Sequence, residues 1–323
     1  KWDEILEAKH YIDYQESIAR ELAAIEQLNQ VQMTEAAASG EEVQLEYPDL
    51  LVMPESSTTQ PMVYLEDVEG VYMPLLTQDL LVNQIYAENH FKTVFGSTLL
   101  SGTMTDEGVY YNFDGDAYNV FAVTDSSLAT EEQYPTTQIQ THGKNHLVPF
   151  GEFIPDIPFL GSVAELFSGM SYSKNFSRSG SFEPLSVELK GENVQLIPSI
   201  CFEDTVGRLS RKFARPELQM LVNITNDGWF GASEATLQHM ANSKFRAVEV
   251  RRPMARAANT GVSGVVDVLG SMAADEEGEF NVIGSPKDPF VKGALYTKVK
   301  IPEKATMTVY AMFGDWFTLL CVF

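Results

Sequence analysis

The amino-acid sequence predicts a layered α/β fold. Segments with helical apolar spacing alternate with short, wholly apolar runs that suit buried strands. Three stretches pair an apolar run with a polar, reactive residue, in LLVMPES, KNHLVPFGEFIP and VQLIPSICFEDT, as strand ends of α/β sheets do. No internal repeat is visible. A chain of 323 residues buries about three quarters of its unfolded surface, which suffices for one large domain or two ordinary ones.

Each element follows from its own pattern. Residues 13–30, DYQESIARELAAIEQLNQ, set apolar side chains at helical spacing among good helix formers. Residues 33–46, MTEAAASGEEVQLE, read as a flexible acidic insertion. The run 49–53, DLLVM, is stopped by Pro54 and suits a buried strand. A second helix is expected over 75–89. Strands are expected at 93–100, 108–113 and 117–123, with Asp114-Gly115-Asp116 turning the last two into a hairpin. The segment 144–155, KNHLVPFGEFIP, has too much proline and glycine for a helix or central strand, and too many apolar residues for a solvated loop. It reads as a rigid loop packed down by its apolar side chains, carrying Lys144 and Glu152. Residues 159–182 mix aromatics, glycines and serines without a period, as either a lipid-facing arm or an irregular surface loop. Strands at 185–189 and 194–200 flank a KGEN turn, 218–224 is a further apolar run, 234–250 a helix and 254–268 strands.

Charge narrows the function. With 22 basic against 45 acidic residues the net charge is -23, which argues against nucleic acid and against a polybasic membrane anchor. Two cysteines, Cys201 and Cys321, make no disulfide framework. The chain opens at Lys1 without a signal peptide and stops inside the apolar run WFTLLCVF, 316–323. That run is far short of the about 20 residues a spanning helix needs, yet it suits the first turns of one. The chain therefore reads as a piece of a longer protein, with 1–313 as one catalytic domain and 314–323 as the start of a transmembrane helix.

Glu55, Lys144 and Cys201 stand beside the three apolar runs and together supply a base, a cation and a thiol, the set that acyl transfer through a thioester requires. Each residue has a plainer reading: a turn cap for Glu55, a surface charge for Lys144, a buried structural thiol for Cys201. A helix starting near Asp204 would give Cys201 thiolate character through its dipole. Cys321, in an apolar run, is expected to be buried and inert. A Cys201–His239 pair stays open, while QHMANSKFRAVEVRR, 238–252, reads otherwise as a helix with structural Arg and Glu residues. His142 and His146 have i, i+4 spacing, but Gly143 and Pro149 disfavour a metal-binding helix.

Glu55 in PES, Lys144 in KNHLVPFGEF and Cys201 in SICFED resemble the Glu-Lys-Cys triad of the nitrilase superfamily. KNHLVPFGEFIP, ICFED, LVNITNDGWFG, FRAVEVRRPMARAANTGVSG and the opening KWDE narrow the likeness to the apolipoprotein N-acyltransferase family. The resemblance implies a four-layer α-β-β-α sandwich whose first strand lies upstream of KWDE. It implies a catalytic domain held at the bacterial inner membrane, facing the periplasm, with no metal and no organic cofactor. A phospholipid would donate an acyl chain to Cys201, and the α-amine of a diacylglyceryl-cysteine lipoprotein would accept it. Glu55 would be the base, and Lys144 with the Phe202 backbone N–H would hold the oxyanion. Glu152 would fix Lys144 or act as a second carboxylate. Glu203 and Trp2 match functional positions, and Trp229 in NDGWFG borders the pocket or belongs to the core. Phe202 stands where the family often has tyrosine, and Met53 where WPE is usual. A soluble amidase of the same superfamily, with water as acceptor, and a catalytically silent periplasmic binding domain are the alternatives.

Overall fold

A computed structural model of the chain describes residues 47–57, 61–65, 70–72, 92–105, 108–112, 115–124, 139–155, 175–231, 233–272, 282–284, 291–303 and 306–322, with helical residues at 20, 23–27, 29–34, 36 and 38. Two sheets form its centre. Among the described residues the first has seven strands: β1 (Leu50–Val52), β2 (Met62–Leu65), β3 (Gly70–Tyr72), β4 (Lys92–Thr105), β5 (Gly108–Tyr111), β6 (Ala117–Thr124) and β7 (Gln140–Gly143). The second has six among them, in the order β13-β12-β11-β10-β9-β8: β8 (Leu185–Leu189), β9 (Glu192–Ile200), β10 (Gln219–Thr225), β11 (Met254–Ala258), β12 (Ser263–Val266) and β13 (Val282–Ile283).

The spine of the first sheet is β4, 14 residues long. Along one edge it pairs in parallel with β1 and then β2. Along the other it pairs antiparallel with β6 and then β5. The hairpin expected between 108–113 and 117–123 is therefore replaced by a β4–β5 hairpin. The expected strand at 93–100 continues to Thr105, so β5 and β6 lie end to end on one partner. Between them the Gly115 N–H donates to Asn112 Oδ1 at 3.1 Å. The β8–β9 hairpin forms as expected, because Lys190 and Gly191 both take positive φ, as a tight two-residue turn needs.

Alternation along the strands sends one set of side chains between the sheets. Val94, Phe121 and Val123 of the first sheet pack with Leu196, Met220, Val222 and Ile224 of the second. The opposite face of the first sheet holds a second buried cluster, with Phe95, Val120 and Ala122. The outer face of the second sheet, with Ile197, Leu221 and Met254, is covered by α1 (Gly207–Phe213) and α2 (Ala235–Val250), through Phe213, Met240, Ala247 and Val250. Two short helices follow, α3 (Val309–Phe313) and α4 (Trp316–Val322). A cavity of about 590 Å³ beside β1 is lined by Leu50, Val52, Met220, Ala255 and Val299, among others; Glu55, Lys144 and Cys201 do not line it.

Several expectations need correction. Met33, Thr34, Ala36 and Ala38 are helical, so the predicted helix runs into the segment read as a flexible insertion; its alanines favour this. The loop at 144–155 buries Leu147, but Phe150 and Ile154 are exposed, since Phe150 sits at φ 62° in a turn closed by Phe153. Cys321 is exposed on α4. Trp2, the helix expected over 75–89, and residues 159–174 of the arm lie outside the described residues; 175–182 is extended chain without regular pairing.

Candidate active site

Glu55 follows β1 at the break between β1 and β2. Its backbone lies against Gly96 of β4, where an added Cβ would come within 2.6 Å of Glu55 Cα. Gly96 N–H donates to Pro54 O at 3.2 Å, and Ser57 N–H donates to Gly96 O at 3.0 Å. Glycine is thus required at position 96 for close approach. Gly96→Ala is expected to destabilise the fold by about 1–3 kcal/mol and to displace Glu55. A lowered urea midpoint together with slowed Cys201 acylation would verify it.

Lys144 leaves β7, and its ammonium is buried at 1% exposure. Its Nζ donates to Glu152 Oε1 at 2.8 Å and lies 3.7 Å from Glu55 Oε1. Asn119 on β6 donates from Nδ2 to both carboxylates, to Glu55 Oε1 at 2.7 Å and Glu152 Oε1 at 2.9 Å. Backbone donors complete the set: Asn226 N–H to Glu55 Oε2 at 2.9 Å, and Val148 N–H to Glu152 Oε2 at 2.8 Å. Burial alone would lower the Lys144 pKa, but Glu55, Cys201 and Glu152 outweigh it and raise it, so the ammonium stays charged.

Cys201 begins a 3₁₀ turn, Cys201–Thr205, directly after β9, at a left-handed φ of 51°. That conformation costs about 1–3 kcal/mol for a non-glycine residue and persists only where the surroundings enforce it. Glu203 does much of the enforcing. It accepts the Ile200 N–H at 2.9 Å, and from the Lys144 loop the Asn145 N–H at 2.7 Å and the His146 N–H at 2.9 Å. Glu203 therefore ties the cysteine turn to the lysine loop. Burial raises its pKa against the pull of these donors.

The thiolate character expected from a helix dipole is not what the site gives. Burial and Glu55 push the Cys201 thiol up to about 12, against the opposing effect of Lys144 and nearby donors. The α-helix starts only at Gly207, so the dipole effect is replaced by that of a short 3₁₀ turn, and desolvation wins. A thiol resting in this state needs a base to give up its proton, and Glu55 is the adjacent carboxylate. Phe202, in the cysteine turn, is 40% exposed and its ring lies 6.1 Å from that of His239; Trp229, in the turn Asp227–Phe230, is 62% exposed.

A second polar cluster lies behind Cys201, and its members are far apart in the sequence. Arg256 on β11 donates to Asp204 Oδ2 and Asn223 Oδ1, each at 2.6 Å, and to Asp227 Oδ2 at 3.1 Å. Ser243 Oγ donates to Asp204 Oδ2. His239 sits between the aspartates. Its Nδ1 is 2.7 Å from Asp227 Oδ1; its Nε2 is 2.7 Å from Asp204 Oδ1, an ion-pair contact with poor hydrogen-bond alignment. Both nitrogens face carboxylates, so His239 is not arranged as the base of a Cys–His pair. Burial lowers its pKa, but Asp204 and Asp227 raise it to about 9 in balance. His142 goes the other way, lowered to about 4 by burial.

These shifts predict a stability maximum near neutrality. His239, raised in the folded state, stabilises fully below its unfolded pKa of about 6.5, and that contribution is lost as pH rises towards 9. His142, lowered in the folded state, costs stability as pH falls from about 6.5 towards 4. Urea midpoints followed from pH 5 to 9.5 should fall on both sides, and His239→Gln should flatten the alkaline side.

The fold and the site have counterparts. A carbon-nitrogen hydrolase family model matches residues 99–301, and the chain belongs to that family. The two packed sheets with helices outside are its nitrilase-type α-β-β-α sandwich. Apolipoprotein N-acyltransferase of Geobacter metallireducens is 37% identical over 179 residues, covering 55% of this chain and 30% of the relative. The apolipoprotein N-acyltransferase of Methylococcus capsulatus is 38% identical over 173 residues, covering 54% and 31%. The chain thus spans under a third of the length of these relatives. A solved CN-hydrolase superfamily protein from Xanthomonas campestris is 17% identical, with a TM-score of 0.41, covering 73% of this chain and 76% of that one.

Proposed function

We propose that this chain is the catalytic part of an acyltransferase that carries an acyl group as a thioester on Cys201. The observation that bears most weight is the buried ammonium of Lys144 joined to Glu55 and Glu152, with Cys201 in its electrostatic reach. In this reading Glu55 takes the thiol proton as sulfur attacks a phospholipid ester carbonyl. Lys144 and the Phe202 N–H hold the oxyanion. Collapse breaks the ester C–O bond, and the proton on Glu55 goes to the departing lysophospholipid alkoxide. The α-amine of a diacylglyceryl-cysteine lipoprotein then attacks the thioester, Glu55 takes the ammonium proton, and the sulfur leaves and is reprotonated. Glu152 holds Lys144, and Glu203 holds the loop against the turn. Trp229 and Trp2 are assigned to substrate contact.

The names of the relatives support the acceptor, and the apolar surface of the terminal helices supports a membrane setting. Phe313, Phe317, Leu319, Leu320 and Val322 are all exposed. No helix among the described residues is long and apolar enough to cross a membrane; α4 is read as the start of one. The catalytic domain, 1–313, is placed at the periplasmic face of the bacterial inner membrane in this reading. The test is the fate of the thioester. Full-length protein charged from phospholipid should discharge at least about tenfold faster on adding a lipopeptide with a free α-amine than in buffer. Equal discharge by water would point to a hydrolase.

A further inference from the structure

Thr225 is the last residue of β10 and fully buried. The parallel β9–β10 register pairs Ile200 with Ile224, so the next residues, Cys201 and Thr225, leave the sheet side by side. The Thr225 hydroxyl and the Asn226 N–H, both on the neighbouring strand end, pull the Cys201 pKa down against burial. The Asn226 N–H is already given to Glu55 Oε2 at 2.9 Å, so the Thr225 hydroxyl is the side-chain donor that could turn to the sulfur. That hydroxyl also donates to Asp227 Oδ1 at 3.2 Å. One hydroxyl carries one proton and cannot serve both acceptors.

Asp227 is well supplied without it. His239 Nδ1 meets the same Oδ1 at 2.7 Å, and Arg256 Nη2 donates to Oδ2 at 3.1 Å. Among the three, the threonine contact is the longest. Charge balance also favours a protonated His239: Asp204 and Asp227 together carry two negative charges, and Arg256 neutralises one. An unpaired buried charge is costly, and an imidazolium touching both carboxylates removes it. Gly261 permits the tight packing here, since a Cβ at that position would lie 2.5 Å from Asp227 Oδ2.

We infer that the Thr225 hydroxyl is the donor that receives the Cys201 sulfur as a thiolate, and that His239, acting through Asp227, is the positioning residue that leaves this hydroxyl free to turn. When the thiol proton moves to Glu55, the hydroxyl swings from Asp227 to the sulfur and gives up only its longest contact. Without the imidazolium, Asp227 would hold the hydroxyl proton and the thiolate would lose its donor. The inference rests on Cys201 being the nucleophile. The charged groups facing this corner are Glu55 and Lys144 from the first sheet, and Asp204, Asp227, His239 and Arg256 from the second.

The experiment is alkylation of the full-length protein by iodoacetamide. Sulfur displaces iodide, the proton passes to Glu55 and then solvent, and peptide mapping separates Cys201 from the exposed Cys321. Thr225→Val keeps the shape and removes the hydroxyl; it should slow Cys201 alkylation about tenfold and shift its pH profile upward. Thr225→Ser keeps the hydroxyl and should stay within about twofold of wild type. A packing role would give the reverse order, because serine leaves a void and valine does not. His239→Gln should slow the reaction severalfold, and the double variant with Thr225→Val should be no slower than Thr225→Val alone. Valine at the wild-type rate, or serine as slow as valine, overturns the role of Thr225. Losses that multiply in the double variant overturn the link through His239. If His239→Gln does not fold, the valine and serine pair still decides the proposal. Wild-type protein that resists alkylation at Cys201 would instead overturn the reading of Cys201 as nucleophile.

Discussion

Glu55→Gln is expected to lower the rate of Cys201 acylation about 100-fold or more while leaving the protein folded. The amide fills the same space and can still accept the Asn226 N–H, which the carboxylate receives at 2.9 Å. What it cannot do is take a proton from a thiol whose pKa stands at about 12. The loss should therefore appear in the chemical step and not in lipid binding. It should also be larger than that of Thr225→Val, which weakens one donor to the thiolate but keeps the base. A single-turnover measurement with phospholipid, in the full-length protein, makes the comparison. Near-wild-type acylation would remove Glu55 from the mechanism.

Lys144→Met is expected to cost about 100-fold in acylation and, unlike Glu55→Gln, to destabilise the fold by about 3–5 kcal/mol. The two effects share one cause. The ammonium holds Glu152 at 2.8 Å and stands 3.7 Å from Glu55, in a site almost without solvent. Without it, two buried carboxylates face each other across Asn119, and one of them must take up a proton. A protonated Glu55 is no base, so activity falls even where the fold survives. Raising the pH should restore part of the Cys201 reactivity of this variant as the carboxyl ionises again. A variant as stable as wild type would mean that the carboxylate pair does not depend on the cation.

Much of the candidate site was legible in the sequence, because the residues proposed for its chemistry stand in short contiguous motifs. Glu55 after Pro54, Lys144 opening a proline-rich loop, and Cys201 closing an apolar strand each announce a strand end. Their common resemblance to one superfamily groups the three although they lie far apart along the chain. Asn119 was not legible: it is one polar residue inside AYNVFAVT, and only the β4–β6 pairing reveals that it faces two carboxylates. Gly96 was hidden likewise, since its role is an approach of Glu55 from a different strand. The network of Asp204, Asp227, His239 and Arg256 spans 52 residues between Asp204 and Arg256 and meets only through the second sheet and α2. The misplaced hairpin has a similar origin: β5 and β6 share β4 as a partner, and a local turn signal at 114–116 cannot disclose that. The thiolate expectation failed because burial, a tertiary quantity, outweighed a local helix end.

The most direct measurement is mass spectrometry of the full-length protein after incubation with phospholipid, with and without hydroxylamine, which cleaves thioesters. An acyl adduct should map to Cys201, be removed by hydroxylamine, be absent from Cys201→Ala and persist in Cys321→Ala. An adduct on Cys321 alone, or none on Cys201 with any phospholipid, would contradict acyl transfer through Cys201.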